Sequence, residues 1–258
     1  MESYSDFSKW YDEFMENAPY AEWFEFIKEI LKENDITEGI LCELGAGTGN
    51  MTERLATLGF DMIGIDNSPE MLTVAEDKKS ASADENIKKI LYLCQDMREF
   101  ELYGTVAAIL CLCDSINYVL EDEEVIETFR LVNNYLDPKG IFVFDFNTLH
   151  KYRDVIGDSV IAESGEEASF IWDNYFDEET KINEYEVTFF VPAENEKEGL
   201  FRKFSEYHYQ RGYTFEEMKS FVEKAGLSFV GAYDGDNFGK VNEDSERIFI
   251  VARESGKA

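Results

Sequence analysis

The sequence is poor in positive charge and nearly empty of histidine. Lysine and arginine number 24 against 55 aspartate and glutamate, a formal net charge of −31 over 258 residues. A field of that sign repels phosphate backbones, so nucleic acid is not an expected partner. The basic residues Lys151, Arg153, Arg202 and Lys203 read as solvated charges on strands and turns rather than a binding groove. The acidic excess serves solubility, and an acidic surface would also suit a cationic or amine ligand. The four cysteines, Cys42, Cys94, Cys111 and Cys113, fall within or at the ends of apolar runs, where free cysteine behaves as a small hydrophobe. They read as reduced core residues. The spacing of Cys111 and Cys113 suits neither a zinc knuckle nor a redox pair, and no metal site is expected. No run approaches about 18 apolar residues, and MESYSDFSKWYDEF has no basic segment leading into an apolar one. Neither a membrane span nor a secretory leader is expected, and the cytoplasm is the expected compartment. Low-complexity linkers and internal repeats are also missing.

What is present is core-forming material: 44% hydrophobic residues, with aromatics at 15%. That composition argues against disorder and against a small disulfide scaffold. Trp23, Phe24, Ile27, Ile30 and Leu31 recur at helical spacing over 20–34, ahead of a strand at ILCEL (40–44). A glycine turn then opens a helix ending at Gly59, and DMIGID (61–66) is the next strand. Ser68 followed by Pro69 caps another helix. Strands at 90–94, 106–113 and 140–146 and a helix over 121–136 continue the alternation. Repeated β-then-α order with nearly continuous apolar strands predicts a doubly wound parallel sheet covered on both faces.

The rhythm changes over 159–209, where SVIAE, SFIWDNYF, INEYEVTFFV and LFRKFSEYHYQ follow one another without helical periodicity. They predict an antiparallel insert, which caps a pocket or forms a dimer interface. A helix with Thr214 as N-cap and Gly226 beyond its last turn, then LSFVGAY and RIFIVAR, close the chain. The expected organisation is a Rossmann-like domain over 1–148 and 213–258, interrupted by the insert over 149–212.

The motif with chemistry is Glu43-Leu-Gly-Ala-Gly-Thr-Gly49, placed where a strand turns into a helix. Glycines 45, 47 and 49 let backbone approach a ligand and leave helix N–H groups free to point at it. A dinucleotide fingerprint has glycine at the first, third and sixth positions, whereas here the sixth is Asn50. Asp66 ends the second strand 21 residues beyond Gly45, the place of an acidic residue that accepts from ribose hydroxyls. Asp96, in CQDMREF after the third strand, is placed to accept from an adenine amino group.

In sequence, ELGAGTG, GIDNSPEML, CQDMREF and LCDSINY resemble the class I S-adenosylmethionine-dependent methyltransferases, over most of the chain. The resemblance implies a seven-stranded sheet whose last strand is antiparallel, and S-adenosylmethionine as cofactor with S-adenosylhomocysteine as product. Gly45, Gly47 and Gly49 would then back the methionine part, with Glu43 and Ala46 beside them. Asp66 and Asn67 would take the ribose, and Asp96 and Met97 the adenine. Met71, Leu112 and Cys113 would complete that site. Tyr4 and Trp10-Tyr11-Asp12 resemble a Tyr-Asp segment that forms a lid over the cofactor in the small-molecule branch, Tyr11 being the contact; they read equally as the aromatic face of an ordinary helix. The insert, ending EYHYQRGYT, also resembles that branch, which includes glycine and amino-sugar N-methyltransferases.

Methyl transfer from a sulfonium is an in-line displacement that needs alignment and desolvation, so no catalytic triad is expected. Asp114, Ser115, Asn117 and Tyr118, beyond the fourth strand, and Arg211, at the end of the insert, are the candidates for binding a small-molecule acceptor at nitrogen or oxygen. His208 is either a general base or a buried structural residue; alternation puts it on one face with Glu206 and Gln210. Two rivals stand beside this reading: a non-catalytic S-adenosylmethionine-binding subunit or sensor, and a dinucleotide-dependent oxidoreductase.

Overall fold

A computed structural model describes residues 8–15, 18–165, 168–193 and 200–257. Two helices lead in, α1 (Ser8–Phe14) and α2 (Tyr20–Glu33). They are followed by β1 (Ile40–Leu44), α3 (Asn50–Ala56), β2 (Asp61–Asp66), α4 (Pro69–Ala81), β3 (Leu91–Cys94), β4 (Val106–Cys111), α5 (Asp122–Tyr135) and β5 (Leu136–Asn147). Ser68 caps α4 by accepting from the Met71 amide, with Pro69 at its first position. The expected strand over 106–113 ends at Cys111, because Cys113 and Asp114 adopt left-handed backbone, φ 57° and 51°. Cys94 is exposed rather than in the core.

The insert supplies β6 (Val160–Ser164), β7 (Ser169–Asp177), β8 (Ile182–Pro192) and β9 (Phe201–Arg211). The chain then returns through α6 (Phe215–Lys224), β10 (Ser228–Asp234) and β11 (Arg247–Arg253). Thr214 and Glu217 form a reciprocal capping box at the start of α6. The large sheet has the order β10-β11-β5-β4-β1-β2-β3, parallel except for β11, which is antiparallel to both neighbours. The insert is a separate antiparallel sheet, β6-β7-β8-β9.

Alternation sorts each central strand into two apolar layers. Phe142, Phe144 and Phe146 of β5 face α5 and α6 with Cys42, Ile109 and Cys111. Ile141 and Val143 face the other way with Leu41 and Leu110, under α2 and α3. Among the described residues no helix is long and apolar enough to cross a membrane.

The two sheets are pinned by one amide. Asn117, fully buried in the turn after β4, donates to the carbonyls of Asn147 (2.9 Å) and Arg211 (2.7 Å), and its Oδ1 accepts from the Asn147 amide (2.9 Å). It thereby joins the ends of β5 and β9. Arg211 itself lies outside the cavity described below. It donates to the Leu120 carbonyl, pairs with Asp122 and lies over the Tyr213 ring. Asn117 and Arg211, expected to touch acceptor, are thus occupied in holding the insert to the domain. Asn117→Ala is expected to lower the unfolding free energy by roughly 2–4 kcal/mol, since it orphans several backbone groups in a dry seam. The check is a lower urea midpoint at unchanged m value.

Candidate active site

A cavity of about 720 Å³ opens between the carboxyl edge of the large sheet, α1 and the inner face of the insert. One end is formed by the glycine turn, Asp66–Met71 and Gln95–Arg98. The other is walled by Cys113–Ser115, Tyr118, Asn147, Lys151, Tyr152, Arg247 and the insert residues Phe170, Trp172, Tyr185, Phe189, His208 and Gln210.

The turn after β1 spends its own amides. Gly45 and Ala46 donate to the Ile65 carbonyl at 2.8 and 2.9 Å, Gly47 donates to Asp66 Oδ2 at 2.8 Å, and Gly49 donates to the Ala46 carbonyl. These four turn amides are thus satisfied within the protein and do not themselves form an anion nest. Gly49 caps α3 beside Tyr92 and, like Leu112, which is fully buried beneath the floor, does not line the cavity.

Two buried carboxylates face this end. Asp66 accepts from Gly47 and from the Ser68 amide (2.9 Å), one bond per oxygen, and retains lone pairs for a diol. Burial raises its pKa above the usual carboxylate range. Glu43, bonded to the Thr52 hydroxyl, is pushed by burial up to about 8. Asp96 also lines the cavity, but the Arg98 guanidinium and amide claim its oxygens, and that partner holds its pKa down. Two desolvated acids, internally satisfied amides and the Met71 and Met97 side chains fit a ligand that carries cationic groups, a diol and a flat base, and no phosphate.

Helix α1 forms the roof. Asp12 accepts from Thr48 Oγ1 (2.6 Å) and Asn50 Nδ2 (2.8 Å) and pairs with Lys78 (2.9 Å), which also donates to Asn50. At the other end, Phe14 meets Phe170 and Phe189 of the insert, centroids 5.4 and 5.1 Å apart. Tyr11 lines the cavity between these fastenings. Tyr4 lies outside the described residues.

The far wall is organised by Arg247. Its guanidinium binds Asp114 at 2.6 Å and Asp145 still more closely, while the Asp114 amide donates to Asp145 (3.0 Å). Burial pushes Asp145 up and opposes the Arg247 charge, yet the two acids keep that guanidinium above its ordinary pKa. Gln210 donates to Asp114 (2.7 Å) and accepts from Tyr152 (2.8 Å) and Tyr185 (3.3 Å). The Tyr118 hydroxyl lies 3.1 Å from Tyr185 and 3.0 Å from His208 Nδ1, and His208 Nε2 is 3.6 Å from Glu206. His208, Glu206 and Gln210 share the buried face, as alternation required. Lys151 is a correction: it is not a solvated surface charge but lines the cavity, with burial lowering its pKa.

Of the residues expected from sequence, the structure brings Tyr11, Glu43, Gly45, Ala46, Gly47, Asp66, Asn67, Met71, Asp96, Met97, Cys113, Asp114, Ser115, Tyr118 and His208 to one cavity. Arg247, Gln210, Lys151 and Tyr152 were not read as site residues: the partners of Arg247 and Gln210 come from distant segments, and Lys151 and Tyr152 lie in an irregular turn after β5 that carries no motif. The one available signal for Arg247 was a charge opening an otherwise apolar strand.

Residues 41–140 match the methyltransferase domain family. YqeM of Bacillus subtilis (strain 168), a protein named as a methyltransferase, is 34% identical over 253 residues, covering 98% of this chain and 97% of that one. The crystal structure of an S-adenosylmethionine-dependent methyltransferase from Clostridium acetobutylicum ATCC 824 superposes with a TM-score of 0.86 at 28% identity, over 98% of this chain and 99% of that one. CalS10 of Micromonospora echinaspora, an amino pentose methyltransferase, shares the fold with a TM-score of 0.74 at 18% identity, over 99% of both chains.

Two glycine variants separate fold from ligand. A Cβ on Gly45 (φ 73°) would collide with Ser115, whose own Cβ would be 2.6 Å away, so Gly45→Ala is expected to lower Tm markedly. A Cβ on Gly47 (φ 54°) meets only the Met71 methyl, at 3.6 Å. Gly47→Ala should therefore carry just the left-handed backbone cost of about 1–2 kcal/mol while impairing ligand binding. Thermal melts with and without S-adenosylhomocysteine distinguish the two.

Proposed function

The chain belongs to the class I S-adenosylmethionine-dependent methyltransferases, and from that membership we propose that it methylates a nitrogen or oxygen atom of a small molecule held beneath the antiparallel insert. The observation that carries this reading is that the cavity is one chamber continuing past the glycine turn to Asn147, Lys151, Arg247 and the insert residues Tyr185, His208 and Gln210, which leaves room beside a cofactor. A subunit that only bound or sensed the cofactor would have no use for that room. The fold shared with an amino pentose methyltransferase supports a small-molecule acceptor.

The cofactor, when bound, supplies an electrophilic methyl group on a sulfonium. Asp66 would hold its ribose, Glu43 would face its cationic end, and Met71 and Met97 would flank its base. Tyr118 and His208 would handle the acceptor's proton. Tyr118 is the more exposed residue of the two, and His208, 3% exposed, lies within hydrogen-bond distance of its hydroxyl. A proton leaving the acceptor would pass to this pair, with Glu206 stabilising the charged imidazole. The aromatic walls of the insert would limit the access of water to the displacement.

The function is tested by incubating the protein and S-adenosylmethionine with amino sugars, amino acids and small phenols, and measuring S-adenosylhomocysteine release. Once an acceptor is known, His208→Ala should lower turnover about 100-fold or more with cofactor affinity intact. Unchanged turnover would remove the base role.

Glu43 makes a pH prediction. Its carboxyl is largely protonated below about 8 in the folded protein, and a cationic ligand beside it favours the ionised form. Binding near neutral pH should release a proton from Glu43, and affinity should rise from pH 6 to 8 as the carboxyl ionises. Calorimetry in two buffers of different ionisation enthalpy should show a proton release that Glu43→Gln lacks.

A further inference from the structure

Among the described residues, every cationic side chain on the cavity wall has an acidic partner except one. Arg98 is held by Asp96 and Glu124, and Arg247 by Asp114 and Asp145. Lys151, in the wide helical turn Lys151–Ile156 after β5, donates to Asn147 Oδ1 at 3.0 Å, and among the described residues no carboxylate lies within ion-pair distance of it. The facing oxygen is fixed as an amide oxygen: Asn147 Nδ2 donates to the Tyr152 hydroxyl (3.0 Å), which donates in turn to Gln210. An ammonium has three donors, so two remain beyond the amide. They sit in a place from which water is largely removed; Arg247 also acts against the lysine's charge, while Asp114, Glu246 and Asp145 favour it from beyond ion-pair distance.

The carboxylates of this chamber are committed elsewhere. Asp114 serves Arg247 and Gln210, Asp145 serves Arg247 and the Asp114 amide, and Glu206 lies by His208. Each of these carboxylates already faces a cation or a donor, so the overall charge of −31 is locally offset at this end of the cavity. A further donor waits on the insert wall, where the buried Trp172 indole N–H has no acceptor among the described residues. Phe170, Trp172, Tyr185 and Phe189 flank the space with ring faces and edges.

We propose that Lys151 anchors a carboxylate of the methyl acceptor, which makes the substrate a small acid with a flat or cyclic apolar body rather than a neutral amino sugar. The inference rests on the methyl-transfer reading and names the substrate class for the insert end of its cavity. A single ammonium beside an amide oxygen matches a monoanion; a phosphate ester would bring a second negative charge that nothing here meets.

The probes are benzoate, benzamide and phenyl phosphate, titrated calorimetrically into the full chain saturated with S-adenosylhomocysteine. Saturation is measured first, and failure to bind the product would sink the methyl-transfer reading itself. With product bound, benzoate should bind about 10–100-fold more tightly than benzamide, the range for one charge-assisted contact. Lys151→Met should bring benzoate down to the benzamide level with product affinity unchanged, and Lys151→Arg should restore part of the preference. Product binding with benzoate no tighter than benzamide, or with neither bound, overturns the proposal. So does a Lys151→Met protein that folds, binds product and keeps the preference, and so does tighter binding of phenyl phosphate than of benzoate.

Discussion

Arg247 shared between Asp114 and Asp145 is the constraint around which the cavity is arranged. Three ionised groups withdrawn from water are tolerable only when their geometry is close and their remaining lone pairs are filled, and removing one partner from such a group typically costs about 3–5 kcal/mol. Here the filling comes from every neighbouring element. The Asp114 amide closes the loop after β4 onto β5, Gln210 brings β9 to the same carboxylate, and Arg247 itself arrives on the antiparallel strand β11. The left-handed backbone at Cys113 and Asp114 is uncommon outside glycine, and this cluster holds it in place. The reversed direction of β11 therefore has a local use: Arg247, its first residue, lies opposite Asn147, the last residue of β5, which brings its head to the carboxyl edge.

Where a feature depended on neighbours in sequence, the sequence was legible. Ser68-Pro69 and Thr214 with Glu217 set their helix starts within four residues, and the apolar runs of β1, β2 and β5 needed no tertiary information. The glycine-turn end of the cavity was readable for a related reason: the β–turn–α order forces Gly45–Gly49 and Asp66 to adjacent strand ends, whatever else the chain does. The far wall was not readable. Lys151 and Arg211 carry the same kind of charge in similar polar surroundings, yet one enters the cavity and the other braces a seam. The difference is made by how the insert folds back, through Asn117 joining residues 94 positions apart.

Asn50 shows how a departure from a motif acquires meaning. Its side chain replaces the hydrogen atom that a dinucleotide turn would carry, and it uses that side chain to hold Asp12 and Lys78. The position that argued against a pyrophosphate is the one that fastens the roof. The same substitution thus removes one ligand class from consideration and recruits an additional helix to enclose another, which neither residue type nor spacing could reveal before α1 was placed.

That roof is held asymmetrically, and its response to salt follows from it. Its polar end is a half-exposed ion pair with two hydrogen bonds, contacts of which the pair is worth about 1 kcal/mol or less. Its other end is a ring packed among rings of the insert. Salt screens an ion pair at the surface and leaves packed rings untouched. The ionic strength of the medium therefore bears on how firmly the helix is held over the glycine turn far more than on how firmly it is held to the insert.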